Sequence, residues 1–123
     1  MTAVFNATVS IDQLIVGDHV QTNNSLVTTG VARARGDLLI ISAANVATHA
    51  TDPAVWDAIA VEDMTAAQAT YHAANGIEAA TYTQGEFDVA LCKISGVVLS
   101  AGQYAAARAR GAKLNIELRK VGA

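Results

Sequence analysis

Three histidines (His19, His49 and His72), one cysteine (Cys92) and two close pairs of acids (Glu62-Asp63 and Glu86/Asp88) are the residues of this 123-residue chain that could do chemistry. A zinc site needs ligands that a helix turn or a tight loop brings together. The histidines show no i, i+4 pair and no neighbouring cysteine, so they read as surface residues. A reactive thiol wants an electropositive, partly exposed setting. Cys92 stands beside Leu91 and Ile94 and reads as a buried, inert thiol in mid-strand. Ser42, Ser95 and Ser100 lack the context of a nucleophile elbow, and there is no glycine-rich phosphate loop. Acid–base work needs two carboxylates that converge. Neighbours in a strand, such as Glu62-Asp63, point to opposite faces, and turns commonly carry acids. Glu86 is expected to accept backbone hydrogen bonds at a turn around Gly85. Arg35-Gly36-Asp37 spells a cell-adhesion tripeptide but reads as a structural turn. No catalytic, cofactor-binding or metal-ligating residue is assigned, and no cofactor is implied.

The elements that would position these residues centre on Ala79–Leu118. The pattern predicts a strand ending Thr81-Tyr82-Thr83, a tight turn Gln84-Gly85-Glu86, and a second strand from Phe87 to Ile94. Glycine at 85 tolerates the positive φ that a reversal requires. A helix is predicted over Ser100–Arg110. Ser100 caps its start, the alanine-rich run favours it, Arg108 and Arg110 suit its C-terminal end, and Gly111 stops it. Ala112–Leu118 reads as a closing strand, because Leu114, Ile116 and Leu118 alternate with Asn115, Glu117 and Arg119.

Upstream, Phe5, Ala7, Val9 and Ile11 are apolar and Asn6, Thr8, Ser10 and Asp12 polar, a period-2 strand near the start of the sequence. It is either an edge strand of the domain's own sheet or an arm that adds a strand to another protein's sheet. His19–Val27 is extended, Thr28-Thr29-Gly30 turns the chain, and Arg35-Gly36-Asp37 turns it again into Leu38–Ile41, a strand buried on both faces. Ala43–Val55 is a loop holding the only proline, and Trp56–Glu62 is a strand. Gln68–Gly76 is a short helix or a loop, and Val97-Val98-Leu99 a strand or an apolar staple before the helix.

Composition bounds the function classes. The hydrophobic fraction is 52% but rich in alanine, and aromatics are 5%, so the core per residue is thin. Partners complete the burial, or the chain is a compact alanine-rich monomer. The net charge of −3, with Arg33/Arg35 and Arg108/Arg110 far apart, offers no basic patch for nucleic acid or anionic lipid. One cysteine rules out an internal disulfide framework and suits a reducing cytosol. Met1–Phe5 has no basic region and no long apolar run, so no secretory leader is expected. No apolar stretch is long enough to span a membrane as a helix.

The order Tyr82-x-x-Gly85-Glu86-Phe87-x-x-Ala90-Leu91, then an alanine-rich helix ending Arg108-Ala109-Arg110-Gly111, then a closing strand, resembles the head decoration proteins of lambda-type tailed phages. Gly30, Arg35, Gly36 and Leu38 match a further family segment, as do Ala60, Val61, Glu62, Asp63 and Ala66. The chain departs where Gly111 is followed by Ala112-Lys113-Leu114 instead of isoleucine and a bulky strand, and where Ala58 replaces a glycine. The resemblance implies a mixed α/β, mostly β, β-clip-like domain (residues 17–123) with one short C-terminal helix and an extended N-terminal arm (residues 1–16). It implies a homotrimer at local three-fold positions on the outer surface of the expanded virion capsid, made in the host cytoplasm and stabilising the shell. The arm residues Phe5, Ala7, Thr8, Val9 and Ile11 would contact the major capsid protein, with no direct contact to nucleic acid or membrane. Gly36, Tyr82, Gly85, Glu86, Phe87, Leu91, Arg110 and Gly111 would form its structural motif. The alternative is a trimeric dUTPase-like nucleotide hydrolase on a related β fold. Gly17-Asp18 only faintly echoes that group's Gly-x-Asp motif, and Lys120-Val121-Gly122-Ala123 is no glycine-rich phosphate tail.

Overall fold

The computed structural model describes residues 13–17 and 19–120. Eight strands and two α-helices follow in the order β1 (Gln21–Val27), β2 (Leu38–Ile41), β3 (Val46–His49), β4 (Ala58–Ala60), α1 (Ala66–Asn75), β5 (Ala79–Asp88), β6 (Lys93–Ile94), β7 (Val97–Val98), α2 (Tyr104–Leu114) and β8 (Ile116–Arg119). The domain is mixed α/β and mostly β. The described residues carry two α-helices; the sequence reading has the C-terminal one and leaves Gln68–Gly76 open between helix and loop.

β1 pairs with β3 in parallel, and β3–β2, β2–β4, β4–β5 and β5–β1 are antiparallel, so five strands close into a ring. Closure removes the free edges that a small sheet would otherwise present. β5 is the longest strand and belongs to two arrangements. Its first half pairs with β1 and β4; its second half pairs in parallel with β8, Gly85 opposite Ile116 and Phe87 opposite Leu118. On the other side of β5, Ile15 bridges Phe87. Val16 N–H donates to Glu86 O at 2.9 Å, and Asp88 N–H donates to Leu14 O at 2.8 Å. Of the expected arm, residues 1–12 lie outside those described, while residues 14–16 pair with β5.

The expected hairpin at Gln84-Gly85-Glu86 is not there: the chain runs straight through it. Gly85 does take a positive φ, +142°, but as part of a strand whose register against β1 shifts between Gln84 and Tyr82. The glycine lets β5 leave β1 and take up β8, and a bulge serves that change where a reversal was expected. β5 ends at Asp88, not Ile94. A 3-10 turn over Val89–Leu91 follows, with Asp88 Oδ1 accepting from Ala90 N–H at 3.0 Å, so Cys92 lies just past a turn and not in mid-strand. The tight hairpin is instead β6–β7, turning on Ser95 (φ +50°) and Gly96 (φ +84°).

α1 resolves the ambiguous segment as a helix. Thr65 Oγ1 accepts from Gln68 N–H at 3.1 Å and Gln68 Oε1 accepts from Thr65 N–H at 2.8 Å, a capping box, and Gly76 (φ +64°) ends it. At α2, Ser100 N–H donates to Gln103 Oε1 at 2.9 Å and a 3-10 turn over Ala101–Gln103 leads in. The helix then passes through Gly111 and ends at Asn115, whose φ is +63°. Gly111 is therefore an interior helix residue and not the stop, and the last strand begins at Ile116 instead of Ala112. Within it the expected alternation holds: Ile116 and Leu118 are buried, Glu117 and Arg119 exposed. The expected loop Ala43–Val55 contains β3, and Trp56–Glu62 contributes only Ala58–Ala60 to the sheet.

The main core gathers Trp56, Phe87, Leu38, Ile59, Ile116 and Leu118, all under 3% exposed. Leu38 and Leu39 are both fully buried, as a strand covered on both faces requires. A smaller cluster of Val27, Met64, Ala69 and Ala79 fixes α1 to the ring.

Candidate functional site

Arg35-Gly36-Asp37 is a knot in the interior. The Asp37 carboxylate is fully buried and accepts Ala34 N–H at 2.7 Å and Gly96 N–H at 2.8 Å. Two backbone donors offset much of the cost of burying the charge. Gly36 has φ +98°, and a Cβ there would lie 2.7 Å from Leu91 O. Arg35 Nη1 donates to Tyr82 Oη at 2.6 Å and Val61 O at 2.8 Å, and its guanidinium lies 5.5 Å from the Tyr82 ring centroid. The tripeptide is locked to its neighbours, which an adhesion loop presented at a tip would not be.

The residues of the sequence motif come together around this core. Tyr82 packs on Phe87 with ring centroids 5.0 Å apart. A Cβ on Gly85 would sit 3.0 Å from the Phe87 ring and 3.1 Å from Val20 Cγ2. Arg110 Nε donates to Trp56 O at 2.7 Å and its Nη2 to Asp57 Oδ1 at 2.9 Å, which ties α2 to the entry of β4. Leu91 is partly exposed below the Gly36 turn. No turn lies at Glu86, and among the described residues no backbone N–H reaches its carboxylate. Its Oε1 lies 3.4 Å from Arg119 Nη2, and its side chain occupies the space a Cβ on Gly17 would need. Arg119 Nη2 also donates to Val16 O at 3.2 Å, so one guanidinium joins the segment before β1, β5 and β8.

An open groove of about 630 Å³ runs between the second half of β5, β8 and the face of α2 carrying Ala105, Arg108, Ala109 and Ala112. Its helical wall is mostly methyl groups. Arg108 Nε donates to Leu118 O at 2.8 Å, capping one carbonyl of β8. Exposed apolar side chains cluster elsewhere, at the β6–β7 hairpin, where Val97 is 69% and Val98 51% exposed.

The chemical candidates are dispersed. Among the described residues no three His, Cys, Asp or Glu side chains form a group that could hold a metal ion. Cys92 is fully buried, and burial, with the Asp88 charge second, pushes its thiol up to about 12. His19 is exposed, but His49 and His72 are half-buried and not plain surface residues. His49 Nε2 lies 2.7 Å from Ala32 O, and its Nδ1 lies 3.6 Å from Asp37 Oδ2. Sequence spacing hides this pair because twelve residues and a strand reversal separate its members. Asp18 and the arm residues Phe5, Ala7, Thr8, Val9 and Ile11 lie outside the described residues. No helix among the described residues is long and apolar enough to cross a membrane.

The chain matches no protein-family model and no curated protein.

Proposed function

We propose that the chain is a structural virion protein of the lambda-type head decoration class, with a β-clip-like domain that sits as a trimer on local three-folds of an expanded capsid and clamps the shell. The observation that carries this reading is the join at Phe87. The segment leading out of residues 1–12 and the last strand lie on either side of β5, tied by Arg119 to Val16 and Glu86. An apolar arm leaving such a join would start from a rigid base, beside the strand that closes the domain. The work done is non-covalent: main-chain bonds of an added strand give affinity and alternate side chains give register. The backbone bonds that hold the Asp37 knot and the inert setting of Cys92 suit a structural role.

The test is co-sedimentation with expanded, undecorated shells of the major capsid protein. Deleting Met1–Ser10 should leave a folded domain with an almost unchanged melting temperature and abolish shell binding. Val9→Asp should act like the deletion, and Thr8→Asp, on the opposite parity, should be milder. Decorated shells seen by electron microscopy should carry three-lobed density at local three-folds. A deletion that binds shells like the parent, or density away from three-folds, overturns the reading.

A further inference from the structure

A second cavity, of about 240 Å³, opens between the β1–β2 connection and the β2–β3 pair, lined by Thr28, Val31, Arg33, Leu39, Ala47, Thr48 and His49. Its lining is mostly carbon, with one permanent cation. Arg33 is only 8% exposed, and no described residue hydrogen-bonds its Nη1. A buried guanidinium nitrogen without an acceptor is costly, because the desolvation of the donor is not repaid. Burial pulls the Arg33 pKa down from its ordinary value, and Asp37 and Glu62 oppose that. Asp37 holds Ala34 N–H and Gly96 N–H and Glu62 is exposed to water, and neither of them hydrogen-bonds Nη1, which leaves that nitrogen open to an acceptor the fold does not supply. His49 keeps its Nε2 on Ala32 O and forms a wall, and Thr28 Oγ1 donates to Ala47 O at 2.7 Å. Thr48, exposed on the same strand, has a hydroxyl with no described partner.

We propose that this cavity binds a carboxylate on a short aliphatic stem, with Arg33 as its anchor and Val31, Leu39 and Ala47 around the stem. The volume admits a side-chain-sized group and is below that of ordinary drug-sized sites. The carboxylate comes either from a free short-chain acid or from an acidic side chain of a docked protein. The site does not depend on the decoration reading.

The experiment follows backbone amide and Arg33 Nε–H signals of ¹⁵N-labelled protein by NMR during titration with butyrate, with its neutral isostere butyramide, and with the blocked tripeptide N-acetyl-Gly-Glu-Gly-amide. Saturable shifts at Val31, Arg33, Ala47 and Thr48 with a carboxylate, absent with butyramide, are expected. Arg33→Met should weaken binding by at least about tenfold, the effect of losing a charge-assisted hydrogen bond. Thr48→Phe, at an exposed position, should block entry without touching the cation, so the test stands if Arg33→Met does not fold. Response to butyrate alone assigns a free acid; response to the tripeptide assigns a partner side chain. No saturable response to either carboxylate, equal response to butyramide, or undiminished binding by both variants overturns the proposal.

Discussion

Gly111 packs against the Ile116 carbonyl with no room for a methyl group between them. A Cβ at position 111 would overlap Ile116 O, while two carbons of the Trp56 ring would lie at ordinary contact distance, 3.4 Å. α2 and the last strand approach this closely only because the residue is glycine. Gly111→Ala should therefore destabilise the domain, even though alanine is intrinsically the better helix former by about 1 kcal/mol. Overpacking costs about 1–3 kcal/mol, and here the clash is with backbone. Thermal unfolding followed by circular dichroism should show a melting temperature several degrees lower. An unchanged or higher value would show that the helix moves away from the Ile116 carbonyl freely.

Asp37→Asn tests the knot beneath the β6–β7 hairpin. Both Asp37 oxygens accept backbone N–H groups, and an amide replaces one acceptor with a donor facing a donor. The expected loss is about 2–3 kcal/mol, the cost of a buried unsatisfied group. Urea unfolding should show a lower midpoint with the slope unchanged. Amide exchange should speed up most at Gly96, the hairpin residue whose N–H Asp37 holds.

Cys92 makes stability depend on alkaline pH. Its folded-state pKa is raised to about 12, so its contribution is complete below the unfolded thiol value, near 9. Above that value the unfolded chain sheds the proton that the folded chain keeps, and stability falls until the folded thiol ionises near 12. Between pH 9 and 11 the parent should lose stability faster than Cys92→Ala, with the difference read from urea midpoints. At pH 8 the folded protein should react with a thiol reagent only at the rate at which it opens.

The nucleotide-hydrolase alternative makes the opposite forecast to a structural role. Purified protein should show no thermal shift with deoxynucleoside triphosphates and should turn none over. Hydrolysis above background that disappears in Asp18→Asn would overturn the decoration reading.

Much of the fold is legible in sequence where one residue type has one job. Ser100 marks the entry to the last helix, and Ile116 and Leu118 mark the last strand. Leu38–Ile41 reads as a strand because its apolar run is short and follows a turn. The failures come from residues whose chemistry serves two structures. Glycine tolerates positive φ at Gly85 whether the chain reverses or merely shifts register, and only the tertiary partner β8 decides. Gly111 has the composition of a helix stop, but its close approach to the Ile116 carbonyl is what requires glycine, and Asn115 supplies the left-handed residue. β3 hides in a loop-like stretch because Val46–His49 is short and gains its order from β1 and β2. The capping box of Thr65 and Gln68 was a readable signal that would have decided α1. The Arg33 cavity had no sequence signal, since its walls come from one connection and two strands.

The placement of Phe87 between Ile15 and Leu118 has a consequence for how the protein is made. The second half of β5 leaves the ribosome about thirty residues before Leu118, an interval on the order of 2–6 s at ordinary synthesis rates. Throughout that delay the second half of β5 has no strand on one side. The nascent domain therefore passes through a stage with an exposed edge, open to a chaperone or to another growing copy, and protection of that edge arrives with β8.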